Sequence, residues 1–220
     1  RARWRFFSPV ISVDLGRADI VLTKAQLLEP LARHRTAAVV VTCMGVTRPW
    51  GRISASELDF ASADSAMGHT ADLALGIALA QPERKVICLN GDGSMLMTLG
   101  TLATIVDARA GNLVLFVLQN EAYEITGNQP IPGAGQLDFT AIARGAGFRR
   151  VYFFDDPAHY TAHLPEVLRG EGPVFVAVRL EQGSEGPISR RAREQSPYLK
   201  VSLAESAHRL RDALIRPPGA

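Results

Sequence analysis

Apolar positions along this chain fall into two alternating patterns, short unbroken runs and helically spaced stripes. Thr23 stands where it can cap a helix over 24–35, and the β-branched run 37–42 reads as a strand. Glycine, proline and arginine over 44–52 predict a loop. Small and apolar residues over 67–80 predict a helix buried on most sides, stopped by Pro82. The run 85–89 predicts a buried strand ending in Asn90-Gly91-Asp92-Gly93. A helix follows over 95–110, with Gly111 as its stop, and 113–118 is an uninterrupted apolar strand. Residues 119–137 are rich in glycine and proline and read as a long loop. Beyond it the pattern predicts a short helix from Asp138 to near Gly145, a strand over 150–154, a helix over 156–169 and a strand over 173–180. Residues 181–197 are polar and are expected to wrap the surface. Ser202 is placed to cap a last helix over 203–215, with Leu203, Ala207, Leu210 and Leu214 on one face.

Strands alternating with helices predict an α/β fold, a doubly wound parallel sheet with helices on both faces. The expected divisions are an N-terminal extension over 1–22, one α/β domain over 23–181, and a tail with a helix over 182–220. In such sheets ligands bind beyond the carboxyl ends of the strands. The chemistry is therefore expected at three places: the Gly91–Ser94 turn, the loop after residue 119, and the segment 42–48.

Composition narrows the class. Of 220 residues, 47% are apolar and 21% charged, as in ordinary globular domains. Lys and Arg number 24 against 22 Asp and Glu, a net charge of +2, too small to suggest a nucleic-acid surface. No apolar run approaches the ~18 residues that suggest a membrane span. Two cysteines, Cys43 and Cys88, build neither a disulfide framework nor a zinc site, and the expected compartment is a reducing, cytoplasmic one. The first residues lack the apolar core of a secretory signal, and without an initiator Met the start reads as clipped.

The strongest local signal is Asn90-Gly91-Asp92-Gly93-Ser94, directly after a buried strand. Glycines let the backbone turn tightly and approach a ligand. A helix start offers free N–H groups to a phosphate. A carboxylate beside a phosphate makes sense if a hard cation such as Mg²⁺ bridges them. Alone, the same residues also fit a plain strand-to-helix turn capped by Asp92. Twenty-eight residues further on, Asn120 follows the next apolar strand. A strand–helix–strand crossover lays the two strand ends side by side, about 5 Å apart, so that Asn120 can share the cation of Asp92. Taken together the pair favours a ligand site over two turn residues. No Gly-x-Gly-x-x-Gly follows the strand, which weighs against a nicotinamide-binding fold. His159 and His163 stand at i, i+4 without an evident third ligand, and a solvated helix face is the better reading.

Gly91-Asp92-Gly93 followed at this distance by Asn120 resembles the motif of thiamine diphosphate enzymes. Met67-Gly68-His69, Ala74–Leu79, Leu99–Thr104, Asn112–Val114 and Thr126-Gly127-Asn128-Gln129 are similar to the sulfopyruvate and phosphonopyruvate decarboxylases. The likeness runs over roughly residues 37–200. It implies that Asp92 and Asn120 bind Mg²⁺ through their side chains and Ala122 through its carbonyl. It implies that Gly93 and Ser94 contact the diphosphate and that Gly91 and Tyr123 stand beside the cofactor. Met67 would hold the bend between the two cofactor rings, and the backbone near Ser65 would accept a hydrogen bond from the aminopyrimidine. The stretch Tyr123-Glu124-Ile125 would face the substrate. Two residues keep two readings. His69 is a proton-transfer group or a backbone-bonded helix start. Arg48 pairs with an anionic substrate group or is a solvated loop residue.

The family's activating Glu sits on a separate pyrimidine-binding domain, for which no counterpart is evident in this sequence. The resemblance therefore implies a split enzyme: this chain binds the diphosphate, a partner subunit supplies the Glu, and two of each form a heterotetramer. The implied reaction is decarboxylation of a small 2-oxoacid. Carboligation is the alternative, and a non-catalytic scaffold is the reading from another class.

Overall fold

The structure is a computed structural model, and it describes residues 21–61, 67–188 and 196–216. Ser65 and the start of the chain lie outside the described residues. The elements in order are α1 (Lys24–His34), β1 (Val39–Thr42), α2 (Met44–Gly51), β2 (Asp59–Ala61), α3 (Thr70–Ala80) and β3 (Val86–Gly91). There follow α4 (Asp92–Met97), α5 (Thr101–Asp107), β4 (Leu113–Gln119), β5 (Ala122–Tyr123) and β6 (Gln129–Pro130). The last are α6 (Phe139–Ala146), β7 (Arg150–Phe154), α7 (Pro157–Arg169), β8 (Val174–Arg179) and α8 (Leu203–Ile215).

Six strands form one sheet in the order β2-β1-β3-β4-β8-β7, every pairing parallel. Because side chains alternate across a strand, the sheet feeds two apolar layers. Val40, Ile87, Leu89, Val114 and Phe116 pack with residues of α1, α2 and α7. Val39, Val41, Cys88, Leu115 and Val117 pack with residues of α3, α5, α6 and α8. This is the doubly wound arrangement expected from the sequence. From β1 the chain steps outward to β2, then returns to β3 on the other side of β1 and continues to β4. The order reverses between β1 and β3, and the crevice above such a reversal is where open α/β sheets bind ligands.

Three expectations need correction. Residues 44–51 form a helix, not a loop. Pro49 costs that helix a backbone bond, but Val46, Pro49 and Trp50 are buried, Trp50 completely. Burial of a large aromatic side chain is worth more than one exchanged hydrogen bond.

The single helix over 95–110 is two, α4 and α5, separated at Thr98–Gly100. The Thr98 hydroxyl donates to the carbonyl of Gly68, and the Ser94 hydroxyl accepts from the Gly68 N–H at 3.0 Å. These side chains bond to another segment, and the helix yields there.

The helix over 67–80 begins only at Thr70, because Gly68 adopts φ +86°, a left-handed conformation that no right-handed helix contains. In addition, β2 had no counterpart in the apolar pattern, and the loop after β4 folds back as the ribbon of β5 and β6.

Caps match the sequence closely. The expected caps Thr23, Asp138 and Ser202 are present on α1, α6 and α8; Gln26 completes a capping box with Thr23, and Asp156 caps α7, two features not read from the sequence. Among the described residues no helix is long and apolar enough to cross a membrane.

Candidate active site

A cleft opens at the carboxyl ends of β1, β3 and β4, at the reversal of strand order. Cys43–Val46, Gly91–Ser94, Asn120, Ala122–Thr126, Met67, Thr70, Lys24 and Leu180 line it. Of the residues singled out in the sequence, Met67, Gly91, Asp92, Gly93, Ser94, Asn120, Ala122, Tyr123 and Glu124 stand together there.

Asp92 begins α4 at the end of β3 and is 1% exposed. Its Oδ1 accepts from the N–H of Gly93 and its Oδ2 from the N–H of Glu121, both at 2.7 Å. Burial pushes the carboxyl up from its ordinary value to about 6, against the pull of those two N–H groups. Asn120 follows β4. Its Oδ1 accepts from the N–H of Ala122 at 3.3 Å, and its Nδ2 donates to Glu124 Oε2 at 3.0 Å. One oxygen of each side chain is thus gathered on successive backbone N–H groups, those of Glu121 and Ala122.

Glycine at 93 has a steric cause. A Cβ there would lie 2.5 Å from Tyr123 Cε1 and 3.1 Å from Ile131 Cγ2, so the bare backbone makes room for the tyrosine ring. The Ser94 hydroxyl accepts from Gly68, joining the α4 turn to the segment that carries Met67. Met67 is 37% exposed at the cleft, high for a large apolar side chain.

Two candidates stand away from the lining. Arg48 donates to the carbonyls of Gly186 and Pro187 at 2.8 and 2.7 Å, holding the segment after β8 against α2. His69 is exposed, with Nδ1 2.7 Å from Asp72 Oδ2. His159 and His163 pack their rings 4.3 Å apart beside Phe154, and the His163 Nδ1 bonds the carbonyl of His159. Among the described residues no group of three His, Cys, Asp or Glu converges on one point.

The sequence reading missed Lys24, whose ammonium lies 2.6 Å from Glu124 Oε1. As the first residue of a capped helix it carried no local sign of a site. It arrives there because Leu22 bridges to Leu180 and brings the start of α1 to the end of β8.

The residues present suit a cation and a diphosphate. Among the described residues, Asp92 is a buried carboxylate bonded by backbone N–H groups and by no cationic side chain. The oxygens of Asp92, Asn120 and the Ala122 carbonyl are hard donors of the kind Mg²⁺ takes.

Comparisons with known proteins show the family. The profile of the family described as thiamine pyrophosphate enzyme, C-terminal TPP binding domain, matches residues 52–178. Phosphonopyruvate decarboxylase of Streptomyces viridochromogenes is 34% identical over 205 residues, which are 92% of this chain and 49% of that protein. Sulfopyruvate decarboxylase subunit beta of Methanococcus maripaludis is 28% identical over 197 residues, 88% of this chain and 98% of that one. A solved structure titled as a putative thiamin diphosphate-dependent enzyme from Mycobacterium smegmatis superposes with a TM-score of 0.64 at 24% identity, over 76% of this chain and 32% of that one. The chain spans about half the length of the phosphonopyruvate decarboxylase it matches. With the family profile covering more than half of its residues, the chain belongs to the thiamine pyrophosphate enzymes and carries their C-terminal TPP-binding domain.

Proposed function

We propose that this chain is the diphosphate-binding subunit of a split, thiamine diphosphate- and Mg²⁺-dependent 2-oxoacid decarboxylase of the sulfopyruvate and phosphonopyruvate type. The observation that carries the reading is the placement of Asp92 and Asn120 at the ends of the neighbouring strands β3 and β4, their oxygens held by the successive N–H groups of Glu121 and Ala122. Asp92, Asn120 and the carbonyl of Ala122 hold Mg²⁺, and Gly93 and Ser94 stand beside the diphosphate. The cofactor, when bound, supplies a nucleophilic ring carbon and an electron sink for loss of CO₂. Met67, exposed at the cleft, would offer its apolar side chain to the bound cofactor as a support. Met44, Val46, Leu118, Ile125 and Leu180 make the walls largely apolar and keep water scarce near the reacting bond.

The partner subunit supplies the Glu that activates the cofactor, in an assembly of two chains of each kind. Support for a split enzyme comes from the match along nearly the whole of a protein that is itself named a subunit. The two buried free thiols, Cys43 and Cys88, suit a reducing cytoplasm.

The test is to measure Mg²⁺-dependent binding of thiamine diphosphate by calorimetry, then CO₂ and aldehyde release from a panel of 2-oxoacids with and without the co-expressed partner. We expect binding by the chain, its loss in Asp92→Ala with the fold retained, and turnover only with the partner. Vigorous turnover by this chain alone rules out the split arrangement. A coupled product formed only when a second carbonyl compound is added identifies a carboligase instead. A chain that folds but binds no cofactor is a scaffold.

A further inference from the structure

The cleft contains a second carboxylate whose place in the site is unexplained by the metal set. Glu124 is buried, its side chain 4% exposed, and both of its oxygens are engaged. Oε1 accepts from Lys24 Nζ at 2.6 Å and from the N–H of Glu185 at 3.0 Å. Oε2 accepts from Asn120 Nδ2 at 3.0 Å. Its surroundings are fitted closely, since a Cβ on Gly183 would lie 2.2 Å from Oε1. An ionised carboxylate only accepts hydrogen bonds, and the backbone N–H of Ala122 only donates. These two partners leave the Asn120 carboxamide a single orientation, Nδ2 toward Glu124 and Oδ1 toward the N–H of Ala122, on the side of the cleft where Asp92 is held.

We propose that Glu124 is a positioning residue that holds the Asn120 carboxamide with its oxygen, not its nitrogen, presented to the divalent cation. This rests on the reading of Asn120 as a cation ligand given above. An amide offers a hard oxygen on one side only, and turned over it would present N–H groups to a cation. Lys24 balances the charge of Glu124, so the clamp adds little negative charge to the metal site. Through Lys24 on α1 and the N–H of Glu185 in the segment after β8, the orientation of one ligand depends on two distant parts of the chain.

The test uses Glu124→Gln. Two donors, Lys24 Nζ and the Glu185 N–H, will claim the Gln oxygen, leaving its NH₂ to face Asn120 and turning that carboxamide over. We expect Mn²⁺, read by its electron paramagnetic resonance in the presence of thiamine diphosphate, to bind the full chain about tenfold or more weakly, as loss of an outer hydrogen-bond partner does at metal sites. Circular dichroism should be unchanged. An Asp at 120 carries oxygen on both sides and accepts from the Gln NH₂, so Asn120→Asp combined with Glu124→Gln should recover most of the affinity. A purely structural role predicts no such recovery. A second readout needs no metal: the side-chain amide protons of Asn120 in nuclear magnetic resonance, assigned by their absence in Asn120→Asp, should move upfield and exchange faster in Glu124→Gln. Wild-type Mn²⁺ affinity in Glu124→Gln, a double variant no better than the single, or unmoved Asn120 amide protons would each overturn the proposal. If the wild-type chain binds no Mn²⁺, the proposed function fails, and the amide protons still decide the role of Glu124.

Discussion

In the proposed role Asp92 bears two opposed demands: to hold a cation it must be ionised, and a residue only 1% exposed resists ionisation. Its pKa stands at about 6 in the folded chain against an ordinary 3.8. Below the lower value both states hold the proton. As pH rises, the unfolded carboxyl ionises first, and the stability this group contributes is lost through the folded pKa. By about pH 8 the cost is on the order of 3 kcal/mol. We expect the melting temperature of the cofactor-free chain, measured against Asp92→Asn, to fall across this window. Mg²⁺ with thiamine diphosphate should restore it at neutral pH. Since the cation binds the ionised form, its affinity should fall about tenfold per pH unit below the folded pKa, which calorimetry between pH 5 and about 7 will check. The neighbouring glycine is set by contact. In Gly93→Ala the new methyl meets the Tyr123 ring at 2.5 Å. Displacing that ring should cost about 1–3 kcal/mol in denaturant unfolding and weaken cofactor binding alongside.

The elements around the cleft are held by polar contacts that no periodicity announces. Arg35, at the end of α1, pairs its guanidinium with Asp59 on β2 and donates to Ser54 and the carbonyl of Ala38. The same guanidinium lies 5.8 Å from the Trp50 ring centre on α2. Arg35 and Asp59 are both buried. Asp59→Ala would leave the guanidinium uncompensated in the interior, and breaking such a pair costs about 3–5 kcal/mol. We expect a loss of that size in urea unfolding, with the edge strand β2 losing hydrogen-exchange protection first. The corrected helix, α2, belongs to this scale. Its sequence reads as a loop because Gly45 and Pro49 are poor helix formers, while the burial of Trp50 that holds it depends on packing against α1 and the sheet. Likewise the divided helix after β3 looks continuous in sequence, and its interruption comes from hydroxyls of Ser94 and Thr98 bonding to Gly68, 26 and 30 residues earlier.

Over the whole molecule, the reversal of strand order between β1 and β3 gathers segments from 24 to 180 around one cleft. A ligand that binds only this assembled cleft stabilises the fold by mass action. Thiamine diphosphate with Mg²⁺ at a hundred times its dissociation constant should add about 2.7 kcal/mol, visible as a raised melting temperature that Asp92→Ala abolishes.

Five of the six sheet strands, the caps Thr23, Asp138 and Ser202 and the Asp92–Asn120 spacing were legible in the sequence, because alternation, helical spacing and capping act between residues a few positions apart. The positions of α7, α8 and β7 follow from such local rules almost to the residue. The adjacency of β3 and β4 follows from the handedness of a single crossover. What only the tertiary structure decided is which distant residues meet around the cleft. Lys24 meets Glu124 across 100 positions, Glu185 meets it across 61, and Arg48 reaches Gly186 across 138. Those contacts exist because Leu22 lies beside Leu180 and the chain after β8 passes over α2. Local sequence encodes which segments become strands and helices. It carries no signal for which distant side chains those elements deliver to the same few ångströms, since that depends on how all the layers pack at once.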